Sequence, residues 1–307
     1  MSLKNVTLRQ LRVFEAVARH LSFSRAAEEL HLTQPAVSMQ VQSLEGLAGL
    51  PLTEQIGKKI RLTAAGEELA RQSRRIAQQI REAEEAFVAM RGAEGGRLLI
   101  GVVSTAKYFA PSLLAEFKRR HPGVELRLVV SNRSVVVRQL AENDIDLAIM
   151  GAPPSEFETV ADMFAEHPLV FIANPAHPLA SATQISPQLL ASEILLIREA
   201  GSGTRSALER YLEEHKLTPA ETMEMGSNET LKQAVMAGLG IAFISKHTIG
   251  LEMTVGRLAI LDVVDTPIKR RWHLVHRAEK RLLPAAMAFR EFIRDEGARL
   301  IQSQVGG

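Results

Sequence analysis

Apolar residues recur three or four positions apart at Leu11, Phe14, Ala18 and Leu21, behind Thr7-Leu8-Arg9-Gln10, a capping-box signature that predicts a first helix. A short second helix is expected to start with Ser24 as its cap and to bury Ala27 and Leu30, leaving room for another helix to cross closely. His31-Leu32-Thr33 is the turn. Thr33 caps a third helix, and Pro35 falls in its first turn, where a missing N–H breaks no hydrogen bond. Its faces then separate: Val37, Val41 and Leu44 point inward, whereas Gln34, Ser38 and Gln42 form an outer stripe. After a turn at Gly57, Lys58-Lys59-Ile60-Arg61-Leu62 alternates at the strand period, with Ile60 and Leu62 inward and the cations outward. From Thr63 to about Met90 one long helix is expected, in which Leu69, Ser73, Ile76, Ile80, Ala83, Phe87 and Met90 form a heptad seam flanked by charge.

Gly92-Ala93-Glu94-Gly95-Gly96 breaks that helix. Beyond it strand and helix signals alternate. Strands are expected over 98–103, 124–130 and 146–151, with helices over 110–120 and 135–142 between them, which is βαβ repetition and a parallel sheet. Residues 164–173 form another apolar strand. A second series follows over 194–197, 204–215, 223–226, 230–237 and 241–245, then late strands at 258–263 and 272–276 and a closing helix over about 284–301. Two α/β lobes joined by crossover strands fit this order.

The net charge of +2 becomes informative once divided along the chain. Residues 1–62 hold eight Lys/Arg against five Asp/Glu, residues 63–95 five against six, and the remainder 24 of each. The positive excess therefore sits on the helices with the polar outer stripe, as a footprint on a phosphate backbone requires. Gln pairs with adenine and Ser with base edges or phosphate, so Gln34, Ser38 and Gln42 suit a major groove, while Lys58, Lys59 and Arg61 suit phosphates. Ser24 and Pro35 complete the candidate DNA-contacting set. The absence of cysteine excludes disulfides, thiolate metal sites and Cys nucleophiles. No N-terminal apolar stretch has the length of a signal peptide or a membrane span, so a cytoplasmic protein with no membrane association is expected.

Residues 7–66 resemble the winged helix-turn-helix of the LysR-type transcriptional regulators. Leu8-Arg9-Gln10-Leu11, Phe14, Ser22-Phe23-Ser24-Arg25-Ala26-Ala27, Thr33-Gln34-Pro35-Ala36-Val37-Ser38, Leu44-Glu45 and Leu62-Thr63-Ala64-Ala65-Gly66 carry the resemblance. The chain departs from that pattern at Thr53-Glu54-Gln55, where a Phe-Glu-Arg run is usual. Residues 103–111 and 50–60 are similar to the branch that regulates carbon-dioxide-fixation operons, including RuBisCO genes. The resemblance implies an α/β effector region of two periplasmic-binding-protein-like lobes, preceded by an α-helical winged helix-turn-helix and a long coiled-coil linker helix. The expected divisions are residues 1–62 for DNA binding, 63–91 for the dimerisation helix and 92–96 for a hinge. Lobe I takes 97–166 and 266–307, and lobe II takes 167–265. It further implies a transcription activator that works with RNA polymerase as a homodimer, expected to pair into a homotetramer, on approximately palindromic double-stranded DNA. Leu69, Ile76, Ile80 and Phe87 are the candidate dimerisation residues.

Ligands of open parallel sheets bind beyond the carboxyl ends of strands, where helix N-termini present free N–H groups. Ser104, Thr105 and Lys107, Gly151, Ser202, Thr204 and Arg205, and Asn228 lie in four such loops, and under the resemblance Ser104, Thr105, Ser202, Thr204 and Asn228 match effector-cleft positions. Each Ser or Thr there could equally be a plain helix cap, and Arg205 could lie on a solvated helix face. The family branch implies a small anionic metabolite: a phosphorylated sugar, phosphoenolpyruvate or NADPH. A regulator of an aromatic or amino-acid pathway, and a cytoplasmic solute-binding protein, are the alternatives. An enzyme finds no support, because Walker, His-Glu-x-x-His, nucleophile-elbow and dinucleotide motifs are all missing. His273 and His276 are three apart on an extended chain and face opposite ways, so no metal and no cofactor are expected.

Overall fold

The computed structural model describes residues 3–57, 59–90 and 95–305, so Lys58 and most of the hinge fall outside the described residues. Two compact units divide at Phe87/Val88.

In the first unit, α1 (Leu8–His20), α2 (Phe23–Leu30) and α3 (Gln34–Ala48) enclose Phe14, Val17, Ala26, Ala27, Val37, Val41 and Leu44. Ala26 and Ala27 are what allow the close helix crossing, since larger side chains would hold α1 and α3 apart. The Thr7 capping box forms as expected. The cap of α2 is Ser22 rather than Ser24: its hydroxyl accepts from the Arg25 N–H at 3.3 Å, and Phe23 opens the helix by packing on the core. Strands β1 (Thr53–Ile56) and β2 (Lys59–Leu62) form an antiparallel wing with Ile56 opposite Lys59. Gly57 turns the wing at φ +63°, where a Cβ would be strained. Glu45 fixes the wing's root by accepting from the Leu52 and Thr53 N–H groups at 2.8 and 3.1 Å.

Helix α4 (Ala64–Met90) follows directly. Its start packs on the wing through Thr63, whose hydroxyl donates to Pro51 O at 2.7 Å and accepts from the Gly66 N–H at 3.0 Å. Along the seam, Leu69 packs on the first unit's core and Ser73 is buried, whereas Ile76, Ile80 and Phe87 are exposed.

The second unit contains β3 (Gly96–Val103), α5 (Ala110–Arg120), β4 (Val124–Ser131), α6 (Arg133–Ala141), β5 (Leu147–Met150) and the long β6 (Thr159–Ala173). It continues through α7 (Pro187–Leu190), β7 (Ile194–Arg198), α8 (Gly203–Glu214), β8 (Glu221–Met225), α9 (Asn228–Met236) and β9 (Ile241–Ser245). Helix α10 (Gly250–Thr254), β10 (Ala259–Ile260), β11 (Ile268–Arg277) and α11 (Pro284–Val305) complete it. All nine strands join in one sheet, ordered β4-β3-β5-β11-β6-β9-β7-β8 with β10 on β6. The β3–β4–β5 and β7–β8–β9 groups are parallel, while β6 and β11 run antiparallel to each other and pass between them. The sheet is therefore mixed rather than parallel throughout.

Side chains on one side of the crossover, from Leu98 to Met150 with Phe164, Trp272 and α11, form one core. Leu169 to Val263 form two more, one on each face of the β7–β8–β9 group.

Several boundaries differ from the sequence pattern for physical reasons. Strand β6 begins at Thr159, before its continuous apolar run, because its first half pairs only with β11. The apolar stretch 258–263 contributes only Ala259 and Ile260 to the ladder, opposite Ala173 and Ile172 at the end of β6. Gly96, placed in the hinge by composition, already pairs with Val124.

Candidate functional site

The first unit presents a polar helix face. Gln34 and Pro35 open α3, and Gln34 and Gln42 are exposed with Ser38 half-buried between them. Thr33 accepts from the Ala36 N–H, so the first turn is fixed and Gln34 points from a rigid base. Ser24 is exposed on α2, and Lys59 and Arg61 are exposed on the outward side of β2. Met39, 68% exposed on α3, is an apolar side chain beside this polar stripe that the sequence pattern did not single out.

The second unit contains a cavity of about 350 Å³, open mouth included, at the carboxyl ends of β3, β5 and β7. Ser104, Thr105, Gly151, Ser202 and Thr204 line it together. Ser202 caps α8 by accepting from the Thr204 N–H, which leaves its own hydroxyl hydrogen to donate.

Lys107, Arg205 and Asn228 are not part of that lining. Lys107 donates to Glu229 at 2.7 Å, and Arg205 is held by Glu209 and Glu224. Asn228 accepts from Arg198 and donates to Ser104 O at 3.3 Å. The Lys107–Glu229 and Asn228–Ser104 contacts tie the loop after β3 to the N-terminus of α9. Burial pushes Glu229 upward, but the hydrogen bonds from Lys107 and Tyr108 prevail and hold it down to about 2. The tie is therefore ionic at neutral pH.

Sequence reasoning missed three cavity residues that carry most of its polarity: Arg133, His167 and Arg270. Arg133 opens α6 just after β4, at the same topological point as the four loops singled out above, so strand order alone signalled it. His167 and Arg270 are opposite partners on β6 and β11, a register that no local pattern reveals. Arg270 donates to Gly203 O at 3.1 Å; burial, then Arg210 and Arg133, lower its pKa to about 10, which leaves it charged at neutral pH. Burial, with Arg270 and two further histidines, holds His167 well below its ordinary value and therefore neutral. The lining thus offers the guanidiniums of Arg270 and Arg133, the latter 3.7 Å from the Glu156 carboxylate just outside it, together with several hydroxyls, and no carboxylate side chain is among it. Such a lining suits a small anion.

Behind this wall His247 packs edge-on to Phe109 and Trp272. Burial, with Lys246 adding repulsion, lowers its pKa from 6.5 to about 4. Because the folded value is the lower one, the unfolded chain takes up the proton first as pH falls. Stability that is complete above pH 6.5 is then lost towards pH 4, by about 3 kcal/mol from this group. Denaturant unfolding of wild type and His247→Phe at pH 7 and pH 4.5 checks this: the variant should lose less stability on acidification, and equal losses would contradict the assignment.

Both units match models of one family. Residues 8–67 match the bacterial regulatory helix-turn-helix protein, lysR family, and residues 91–298 match the LysR substrate binding domain. The chain is 53% identical to the RuBisCO operon transcriptional regulator of Allochromatium vinosum over 296 residues, 96% of this chain and 98% of that one. It is 48% identical to the HTH-type transcriptional regulator CfxR of Cupriavidus necator over 305 residues, 99% of this chain and 96% of that one. Among solved structures, the regulatory domain of CcmR from Synechocystis PCC6803 in complex with 2-PG superimposes with a TM-score of 0.62 at 38% identity, covering 65% of this chain and 96% of that domain.

Proposed function

This chain belongs to the LysR family of bacterial transcriptional regulators, and from that premise we propose that it controls carbon-dioxide-fixation genes in response to a small anionic metabolite held in the cavity of its second unit. It is a DNA-binding regulator and not an enzyme. The proposed gene target rests on its similarity over nearly the whole chain to regulators of RuBisCO operons. The anion rests on one observation, a cavity lined by Arg133, Arg270 and hydroxyl side chains without a carboxylate, and the 2-PG carried by CcmR is a ligand of that kind.

A phosphorylated sugar, phosphoenolpyruvate and NADPH, the effector classes that the family branch implies, all carry the phosphoryl charge that such a lining suits.

The exposed Ile76, Ile80 and Phe87 on α4 suit the same helix of a second subunit, so the working unit in this reading is a homodimer on an approximately palindromic site. Two dimers pairing into a tetramer and engagement of RNA polymerase complete the reading. The divisions set out for the chain serve as its working map: residues 1–62 read DNA, 63–91 dimerise, and the two lobes on either side of the crossover strands close on the effector. The ligand acts only in so far as it binds one arrangement of the lobes more tightly than the other.

Base reading and phosphate attraction are separable in this account. Gln34→Ala is expected to weaken binding to the operator by about 1–3 kcal/mol and to relax base choice, the loss of one bidentate pair. Lys59→Ala should instead weaken all DNA sequences alike and reduce the slope of log affinity against log salt by about 1. Fluorescence anisotropy on operator and random duplexes across a salt series separates the two; equal losses on both duplexes for Gln34→Ala would remove its reading role.

A further inference from the structure

Where the two crossover strands pair, the cavity wall has a feature that a generic anion site does not need. His167 on β6 and Arg270 on β11 sit opposite each other, so both side chains leave the sheet on the same face. The His167 imidazole is nearly fully buried, yet neither of its ring nitrogens has a partner among the described residues. A buried polar group left in that state is costly, and it lines the cavity rather than the interior of a core. Arg270 spends one donor on Gly203 O, and its charged neighbours are cations, so most of its fork remains available.

Gly151 explains how both groups reach the same point. A Cβ at that position would lie 2.6 Å from Nδ1 of His167 and 3.5 Å from Nη2 of Arg270. Any side chain there would fill the space on which the two nitrogens converge.

We propose that His167, Arg270 and the notch at Gly151 form the subsite that selects a phosphoryl group over a carboxylate in the effector. The inference rests on the cavity being the anion site. Donors on different elements line the cavity around this point: the planar fork of Arg270 on β11, the imidazole on β6, and the Thr204 hydroxyl in the first turn of α8. A carboxylate presents two oxygens in one plane and leaves part of that set unused. A phosphoryl group presents three oxygens in a tetrahedral array and engages all of it. A neutral imidazole contributes one N–H donor and one acceptor nitrogen, so the donor nitrogen meets an ionised oxygen.

The bland account of His167 is a packing residue, since it stacks on Trp272 with ring centroids 3.8 Å apart. His167→Phe separates the two roles by keeping an aromatic ring on Trp272 while deleting both nitrogens. The experiment is calorimetric titration of the full chain with 2-phosphoglycolate and with succinate, for wild type, His167→Phe and Arg270→Lys.

Wild type is expected to bind 2-phosphoglycolate at least tenfold more tightly than succinate. His167→Phe should lose that preference by weakening 2-phosphoglycolate binding about tenfold and succinate binding less than threefold. Arg270→Lys keeps the charge but not the fork, should reduce the preference in the same direction, and serves if His167→Phe does not fold. Equal affinity of wild type for the two probes, or an equal loss for both in the variants, overturns the selectivity while leaving the anion cavity standing. No binding of either probe, or binding unaffected by Arg133→Met and Thr105→Val, overturns the anion cavity and the inference with it.

Discussion

Arg198→Met is expected to lower the stability of the second unit by about 3–5 kcal/mol, the cost of breaking a buried charge network from one side. The Arg198 side chain is 2% exposed and donates to both oxygens of Glu199 at 2.7 and 2.8 Å, to Asn228 Oδ1 and to Ser104 Oγ at 3.3 Å. Those partners lie on β3's outgoing loop and on α9, so one guanidinium joins elements from both sides of the crossover. A Met fills similar volume but leaves Asn228 and Ser104 short of a donor and Glu199 short of its counter-charge. Because Ser104 also lines the cavity, ligand affinity should fall together with stability. Denaturant unfolding with calorimetric titration of the same preparation checks both; a stability loss under about 1 kcal/mol would place Arg198 outside the network that holds the cavity together.

The second large effect is at Gly66→Ala. A Cβ on Gly66 would lie 2.0 Å from the carbonyl oxygen of Leu52, a backbone atom that cannot rotate aside. Leu52 is itself fixed, because its N–H is held by Glu45 and its carbonyl accepts from the Thr63 N–H at 3.1 Å. Either the start of α4 separates from the wing or the wing shifts on α3, and the cost should reach about 3 kcal/mol, the upper part of the range for overpacking. The expected result is loss of operator binding with unchanged affinity for an anionic probe, since the cavity belongs to the other unit. Operator affinity within twofold of wild type would contradict the tight seat of α4 on the wing.

The contrast between these residues shows what a sequence reveals and what it hides. Helices α1 and α3 were legible because Leu11, Phe14 and Ala18, then Val37, Val41 and Leu44, repeat at the helical period and each repeat becomes a buried face, whereas the repeat of α4 continues into the exposed Ile76, Ile80 and Phe87. The cap of α2 was less so, because Ser22 and Ser24 are chemically equal and only the packing of Phe23 decides between them. In the cavity, Ser104, Thr105, Gly151, Ser202 and Thr204 were legible as loops following strands. Lys107, Arg205 and Asn228 share that local signature, but each finds a protein partner, Glu229, Glu224 with Glu209, or Arg198. Which cations are neutralised is a tertiary fact. The same holds for His167 and Arg270, whose pairing depends on the register of two strands about a hundred residues apart in sequence.

In the proposed function one chain reads a carbon-fixation promoter and senses a phosphorylated anion. The direct measurement is the affinity of the full chain, at fixed salt, for DNA from upstream of RuBisCO genes of its own organism and for random DNA of equal length, with and without 2-phosphoglycolate. The account predicts promoter binding at least about a thousandfold tighter than random binding. It also predicts a change in the promoter affinity or footprint when the probe occupies the cavity. Equal affinity for the two DNAs, or promoter binding that is the same with the cavity filled and empty, would contradict it.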